Sequence, residues 1–549
     1  MAAAMINSRV SNYNYSDAVR SKECNVKQDV IQNGKLSEPK NGCVKYEYLN
    51  NGVSHKYEAA AAAHDDAYAG SFEKCSLVTA VLTNLGLYVL MFLGFVNQLL
   101  FTPNAATEKN RQGYAPLYDP FEQFYSRYVY RRVRHCFNRP ICSAPGAELV
   151  LKERETRDHN WSFRFTGGER RCINLGSYNY LGFAAGGRET AAVAAAVRRH
   201  GLAAGSPRAE LGTSALHLQL ERDVARFLGV EAAMVVGMGF ATNVLSLPAL
   251  LGPGVLAFSD ESNHASLILG LRMSRAAVRV FRHNDVRHLE RLARAALAER
   301  TWRKIVIVVE GVYSMEGSIA PLRALVALKR RLGLHLYLDE AHSIGALGAR
   351  GRGVVDHAGV HPGDVDVLMG TFTKSFGASG GYIAGSAELI RCVQAGGHAH
   401  AYAHAMSPAV CAQVAAATRA LAQPAGRDRL LRLRRNTRYF RARLRALGVV
   451  VFGHEDSPVV PMLVYTFSKM AATVERLTAR SIATVGVGFP ATPLSMARIR
   501  FCLSASHTLE QLEQCLQAIE EVVDELGLRY SRRPLPPPAP APAPAPAAR

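Results

Sequence analysis

The stretch GTFTKSFGASGG, residues 370–381, follows the apolar run VDVLM at 365–369. The run reads as a short buried strand, which puts Lys374 at its exit between Thr373 and Ser375. Lysine is seldom buried without a partner or a task. Partial desolvation lowers its pKa and frees the amine to act as a nucleophile. The placement therefore predicts a Schiff-base lysine that holds pyridoxal phosphate; the plainer alternative is an exposed loop lysine.

Working outward, Leu-Asp-Glu-Ala-His at 338–342 follows the apolar run LHLYL at 334–338. An acid at the carboxyl end of a parallel strand stands where open α/β sheets bind ligands. Asp339 is the candidate carboxylate for the pyridine nitrogen, which it would keep protonated so that the ring accepts electrons. His342 is the candidate partner of the ring's phenolic oxygen. Alone, these two would read as a capping acid and a core histidine. Further upstream, His264 in SDESNHASL could stack on the ring. Gly239 and Phe240, in GMGFATN after the run AAMVV, could offer backbone N–H groups to a phosphate. Asp-Glu-Ala-His also occurs in nucleic-acid helicases, but no G-x-x-x-x-G-K-[ST] loop precedes it. No nucleic-acid partner and no metal site is expected.

The apolar runs at 233–236, 304–309 and 334–338 alternate with amphipathic stretches at 286–298 and 322–332. That alternation argues for an α/β fold with a mainly parallel sheet. A break at 423–426 precedes an arginine-rich helix, most of whose charges are expected on a solvated face, and then a smaller unit.

The 549 residues carry a net charge of +20, which suits acidic partners such as a polyphosphate substrate or an anionic membrane surface. The ten cysteines form no C-x-x-C pair, so neither zinc nor a disulfide framework is indicated. Residues 76–101 hold no charged side chain, enough length for a membrane helix; a core or interfacial helix is the alternative. Lys109, Arg111, Arg127, Arg131, Arg132 and Arg134 follow it, which places its C-terminal side in the cytosol. The aromatic and arginine mixture at 114–137 suits a headgroup surface or core packing equally. The expected organisation is a disordered region at 1–74, a membrane helix at 75–101, a linker at 102–170, a large domain at 171–422, a small domain at 423–530 and a Pro/Ala tail at 531–549.

Taken in order, these motifs resemble the α-oxoamine synthase family of pyridoxal-phosphate enzymes over roughly residues 120–525. The match includes SYNYLG (177–182), Gly212-Thr213 with His217, EGVYSMEG (310–317) and PATP (490–493). NRPICSAPGA (138–147), NWSF (160–163) and RFCLSASHT (500–508) resemble the family's lysine-bearing long-chain-base subunits. The resemblance implies a PLP-dependent transferase fold type I, aspartate-aminotransferase-like, with a smaller C-terminal α+β domain. It implies pyridoxal 5'-phosphate as cofactor and decarboxylative condensation of L-serine with a long-chain acyl-CoA to 3-ketosphinganine, the first step of sphingolipid biosynthesis. Partners implied are a lysine-less homologous large subunit and small activating and regulatory membrane subunits, at the endoplasmic reticulum membrane with the catalytic domain facing the cytosol.

By position, the resemblance makes Lys374 the cofactor lysine and Thr371 part of the phosphate cradle with Gly239 and Phe240. It puts Ser314 near the ring, and Arg500 and Asn179 on the substrate, with Arg498 a second arginine candidate. One departure stands out. After Tyr402 the chain reads His404-Ala405-Met406-Ser407-Pro408, where relatives carry Thr-Ser hydroxyls that reach phosphate across the subunit interface.

Overall fold

The computed structural model describes residues 72–101, 113 and 120–533. The expected disordered N-terminal region, all but its last three residues, lies outside the described residues. So do residues 114–119 of the aromatic–arginine stretch and the Pro/Ala tail beyond 533.

The uncharged segment forms helix α1 (Leu77–Phe101). After it, residues 120–136 form successive α, π and 3₁₀ turns. Tyr125 and Val129 are buried there, and the Tyr125 hydroxyl donates to the Phe489 carbonyl at 2.6 Å. Strands β1 (Glu148–Glu155) and β2 (Arg164–Asn174) then pair antiparallel. The expected domain boundary at 171 falls inside β2.

The centre is a seven-stranded sheet of β3 (Ala232–Val236), β4 (Val255–Asp260), β5 (Ala277–Phe281), β6 (Lys304–Glu310), β7 (His335–Asp339), β8 (Val367–Thr371) and β9 (Gly381–Gly385). Its order is β3-β9-β8-β7-β6-β4-β5, and only β9 runs against the others. All residues of β4, β8 and β9 are buried, and all but the first of β6 and β7. This is why the strands read as continuous apolar runs rather than alternating ones: helices cover both faces of a parallel sheet. Each fully buried Val, Leu or Ile contributes about 1.5–3 kcal/mol relative to exposure.

Two helices start at strand ends and matter below: α2 (Gly239–Leu250) and α3 (Ala265–Met273). The break at 423–426 is a helix junction, with Pro424 at the first turn of α4 (Pro424–Ala446). The arginines of α4 are not all solvated. Arg441 is completely buried and donates to the carbonyls of Phe452, Ser457 and Val459. Three convergent carbonyls compensate the charge, and burial still lowers its pKa to about 9.

The C-terminal unit adds β10 (Val459–Tyr465), helix α5 (Phe467–Ala479), the short strands β11 (Ile482–Ala483) and β12 (Val485–Val487), β13 (Ala497–Cys502) and helix α6 (Leu509–Leu526). β13 lies between β10 and β12, and β11 pairs parallel with β2. The loop after β2 is therefore stitched to this unit. Cys502 N–H donates to Leu175 O at 2.8 Å, and Ala505 N–H to Tyr180 O at 2.7 Å.

Candidate active site

Five parallel strands end at one depression. It is lined by Gly239 and Phe240 after β3, His264 after β4, Glu310 closing β6, Asp339 and His342 at and after β7, and Thr371 and Lys374 at and after β8. Roomier hollows lie at the opposite, N-terminal ends of β6 to β8 and under the β1–β2 hairpin. The strand ends are the better guide, because a parallel sheet binds ligands beyond its carboxyl edge.

Lys374 leaves β8 two residues later than the run 365–369 suggests, since β8 spans Val367–Thr371. Its Nζ donates to Thr371 Oγ1 at 3.5 Å and sits 5.6 Å from the Tyr178 ring centre. Burial lowers its pKa to about 8, with Asp339 and Glu310 acting against that and Arg500 reinforcing it. At pH 7 roughly one amine in ten is then unprotonated.

Asp339 is buried, and both its oxygens are held. Oδ1 accepts the Ala341 N–H at 2.8 Å and Oδ2 accepts from Asn243 Nδ2 at 2.7 Å. Asn243 is itself fixed by Ser266 Oγ and by the Tyr337 hydroxyl, at 2.9 and 2.7 Å. Glu310 lies beside Asp339 in parallel register and accepts the His264 N–H at 2.5 Å. Burial, then the Asp339 charge, pushes its carboxyl well above the ordinary range.

His264 caps α3 through Nδ1, which accepts the Ser266 N–H at 3.2 Å, and its ring remains exposed beside Phe240. Surrounding protein holds its pKa below the ordinary value; Asp339 opposes this and Lys374 adds to it. His342 is buried, with Tyr180 Oη 2.8 Å from Nδ1. Burial, then the charges of Lys374 and Arg500, keep it neutral by lowering its pKa well below the usual value. Tyr180 occupies Nδ1, so Nε2 is the nitrogen left for a ligand; it carries the proton in the tautomer in which the Tyr180 hydroxyl donates.

The residues fit pyridoxal phosphate. Gly239 opens α2 with N–H groups that have no intrahelical partner. A Cβ there would lie 3.1 Å from Thr371 Cγ2 and 3.3 Å from Gly380 O, so any side chain would press on Thr371 and the Gly380 backbone, and glycine leaves the cradle open without that shift. Arg500 on β13 is buried, its Nε has no hydrogen-bond partner, and its Cζ stacks 4.7 Å from the Tyr178 ring centre. Among the described residues no acid pairs with it, which leaves it for an anionic substrate group. Arg498, in contrast, already meets Glu316 at 3.6 Å and the Met315 carbonyl at 2.8 Å.

Two expected site residues are not brought together with the rest. Asn179 Nδ2 donates to Pro145 O at 2.8 Å and Oδ1 accepts the Ala184 N–H at 3.2 Å, so its side chain serves the loop. Its neighbours Tyr178 and Tyr180 face Lys374, Arg500 and His342 instead. Ser314 is buried in the loop after β6 but does not line the depression. Sequence reasoning missed Asn243, Ser266 and Glu310 as site residues. Two signals were available: Asn243 is four residues after Gly239, one helical turn on the same face, and Glu310 ends an apolar strand just as Asp339 does.

The segment that departs from the family pattern packs beside this site. His404 bridges to Pro207, and the Met406 carbonyl is 2.9 Å from His217 Nε2. Arg208 is held by Glu221 through two hydrogen bonds of 2.9 and 3.2 Å.

The family model for aminotransferase class I and II matches residues 170–519. Serine palmitoyltransferase 3 of Homo sapiens is 47% identical over 511 residues, covering 90% of this chain and 91% of that protein. Long chain base biosynthesis protein 2a of Oryza sativa subsp. japonica is 44% identical over 468 residues, covering 82% and 95%. Among solved structures, SPT with PLP internal aldimine superposes with a TM-score of 0.66 at 26% identity, over 75% of this chain and all of that one. Sphingomonas wittichii serine palmitoyltransferase gives 0.67 at 29% identity, over 75% and 99%. The chain belongs to the serine palmitoyltransferase family, on the aminotransferase class I and II fold.

Proposed function

We propose that the chain is the catalytic subunit of a serine palmitoyltransferase, a pyridoxal-phosphate acyltransferase of sphingolipid synthesis. The reaction joins L-serine to a long-chain acyl-CoA, releases CoA and carbon dioxide, and yields 3-ketosphinganine. The observation that carries this reading is the convergence, at the ends of five parallel strands, of a half-buried amine, a buried carboxylate and two imidazoles.

When bound, pyridoxal phosphate supplies a protonated ring that takes up the electron pair left on the amino acid's α-carbon. The chain's own groups do the rest. Asp339, clamped by Asn243 and the Ala341 N–H, would keep the ring nitrogen protonated. His264 would cover the ring, and His342 would offer Nε2 to the phenolic oxygen. Thr371 and the N–H groups of Gly239 and Phe240 would hold the phosphate. Arg500 fixes the serine carboxylate, and the Lys374 amine, unprotonated in part near neutrality, removes the α-proton.

The subunit works with a lysine-less homologous large subunit and with small membrane subunits, at the endoplasmic reticulum membrane with its catalytic body in the cytosol. An uncharged α1 and a lipid product support attachment to a membrane. The test is product formation from serine and acyl-CoA of graded chain length, with and without the co-expressed lysine-less subunit. Long-chain product only in the co-expressed preparation is expected; no product in either preparation refutes the reading.

A further inference from the structure

Membrane attachment through α1 is part of the function proposed above, and the inference here rests on it. How α1 meets the bilayer follows from its packing. Just before the helix, Phe72 sets its ring edge-on against His283 at 5.7 Å and Phe452 at 5.0 Å. Glu73 accepts the Arg532 N–H at 2.6 Å and the Ser531 hydroxyl at 2.8 Å. The N-terminal end of α1 is thus fastened to the catalytic body.

Gly94, far along the same helix, is fastened too. A Cβ on it would lie 3.0 Å from Tyr128 Cβ and 3.1 Å from the Phe124 ring. That neighbouring segment is anchored to the body by Tyr125 and its 2.6 Å hydrogen bond to Phe489. From residue 76 to residue 94 an α-helix rises about 27 Å. Between the two fastenings the sheltered positions are Ser76, Thr79, Ala80, Thr83, Leu87, Leu90, Met91 and Gly94. Their recurrence every three or four residues draws one stripe along the helix, and Leu90 packs on the main core. The opposite face is apolar and open: Leu82, Leu85, Tyr88, Phe92 and Leu99 are 56–75% exposed.

A helix crossing the bilayer needs about 30 Å of its length inside hydrocarbon. α1 cannot meet that while Phe72 and Gly94 both stay on the same folded body. We propose that α1 lies in the plane of one leaflet, at the boundary of headgroups and acyl chains, with the catalytic body resting on it and both chain ends on one side. The occupant of its open face is the bilayer, and the flanking charge fits anionic headgroups. Arg132 is exposed on the segment that packs against Gly94, and Arg131 stacks 4.7 Å from the centre of the exposed Trp161 ring. α1 carries no charge of its own; the arginine and aromatic side chains of the packed segment supply the polar rim that a helix lying at the interface needs.

The test uses the full chain, tagged at both termini, in sealed microsomes with and without detergent during proteolysis. The two tags are expected to share one fate without detergent while the chain stays with the membranes. Opposite fates overturn the in-plane placement and leave the enzymatic reading intact. Release of the chain into the soluble fraction by salt overturns membrane attachment and this inference together. A second measurement follows packing rather than topology. The double variant Gly94→Cys with Tyr128→Cys should form an internal disulfide in those membranes under mild oxidation, visible as a mobility shift that neither single variant shows. Disulfides span Cβ atoms about 3.5–4.5 Å apart, a few tenths of an ångström more than the 3.0 Å here, so a small shift closes the pair, and absence of the cross-link counts against α1 lying on the body.

Discussion

Replacing Arg500 by methionine separates what the fold needs from what the reaction needs. The guanidinium is buried and its Nε is unpaired; Nη1 meets the Met315 thioether at 3.8 Å, and the Tyr178 hydroxyl and Cys502 thiol lie against the group, with no acid among the described residues to neutralise it. A substrate carboxylate would complete it. Hydrogen bonds to charged groups are worth about 1.5–3 kcal/mol each. Taking about 3 kcal/mol for the pair, kcat/KM for serine should fall roughly 150-fold. A second effect has a definite sign. The Arg500 charge is one of the causes that hold Lys374 down at about 8. Its removal raises the pKa of the free amine, so the rising limb of the kcat–pH profile should move to higher pH. Stability without serine should change little, because a buried charge without an acid partner is exchanged for an apolar side chain of similar length, while its contact with the Tyr178 hydroxyl is lost. The assay varies serine at saturating acyl-CoA across the neutral and alkaline range, beside a melting curve. A serine KM within twofold of the parent, with an unmoved pH limb, would refute the assignment.

Asn179→Ala should behave in the opposite way. Loss of its bonds to Pro145 and Ala184 should cost about 1–2 kcal/mol of stability and leave kcat/KM for serine within a few-fold; a loss of activity as large as that of the Arg500 variant would return Asn179 to the site. Glu340 offers a pH test. Burial raises its carboxyl from 4.5 to about 7 although Ser343, Val354 and Val355 donate to it. The folded state holds this proton more tightly than the unfolded chain, so stability from this group is full below pH 4.5 and lost as pH rises through about 7. The difference is on the order of 3 kcal/mol, and Glu340→Gln should flatten that part of the stability–pH curve; an unchanged slope in urea titrations would contradict it.

What the sequence made legible follows the strand ends. Lys374, Asp339 and His264 each sit at the close of an apolar run, or within a few residues of it, and a parallel sheet gathers such positions whatever lies between them. The side-chain direction of Asn179 was not legible because a loop turns neighbouring side chains to different sides, and only the fold shows that Asn179 bonds Pro145 and Ala184 while Tyr178 and Tyr180 approach Lys374, Arg500 and His342. For Ser314 a resemblance fixes the position in the loop after β6, where the side chain is buried, and not what it would touch. Arg441 could not be told from its exposed neighbours on α4, since the carbonyls that receive it come from residues 452–459, beyond the helix. The posture of α1 was equally hidden. Composition is the same for a helix that crosses a bilayer and one that lies along it; the difference resides in what Phe72 and Gly94 touch.

The central claim concerns one amine. Purified with its partner subunit, Lys374→Ala should show neither the visible absorbance of covalently held coenzyme nor any condensation of serine with acyl-CoA, while its melting curve stays close to that of the parent. Undiminished turnover by that folded variant would contradict the account.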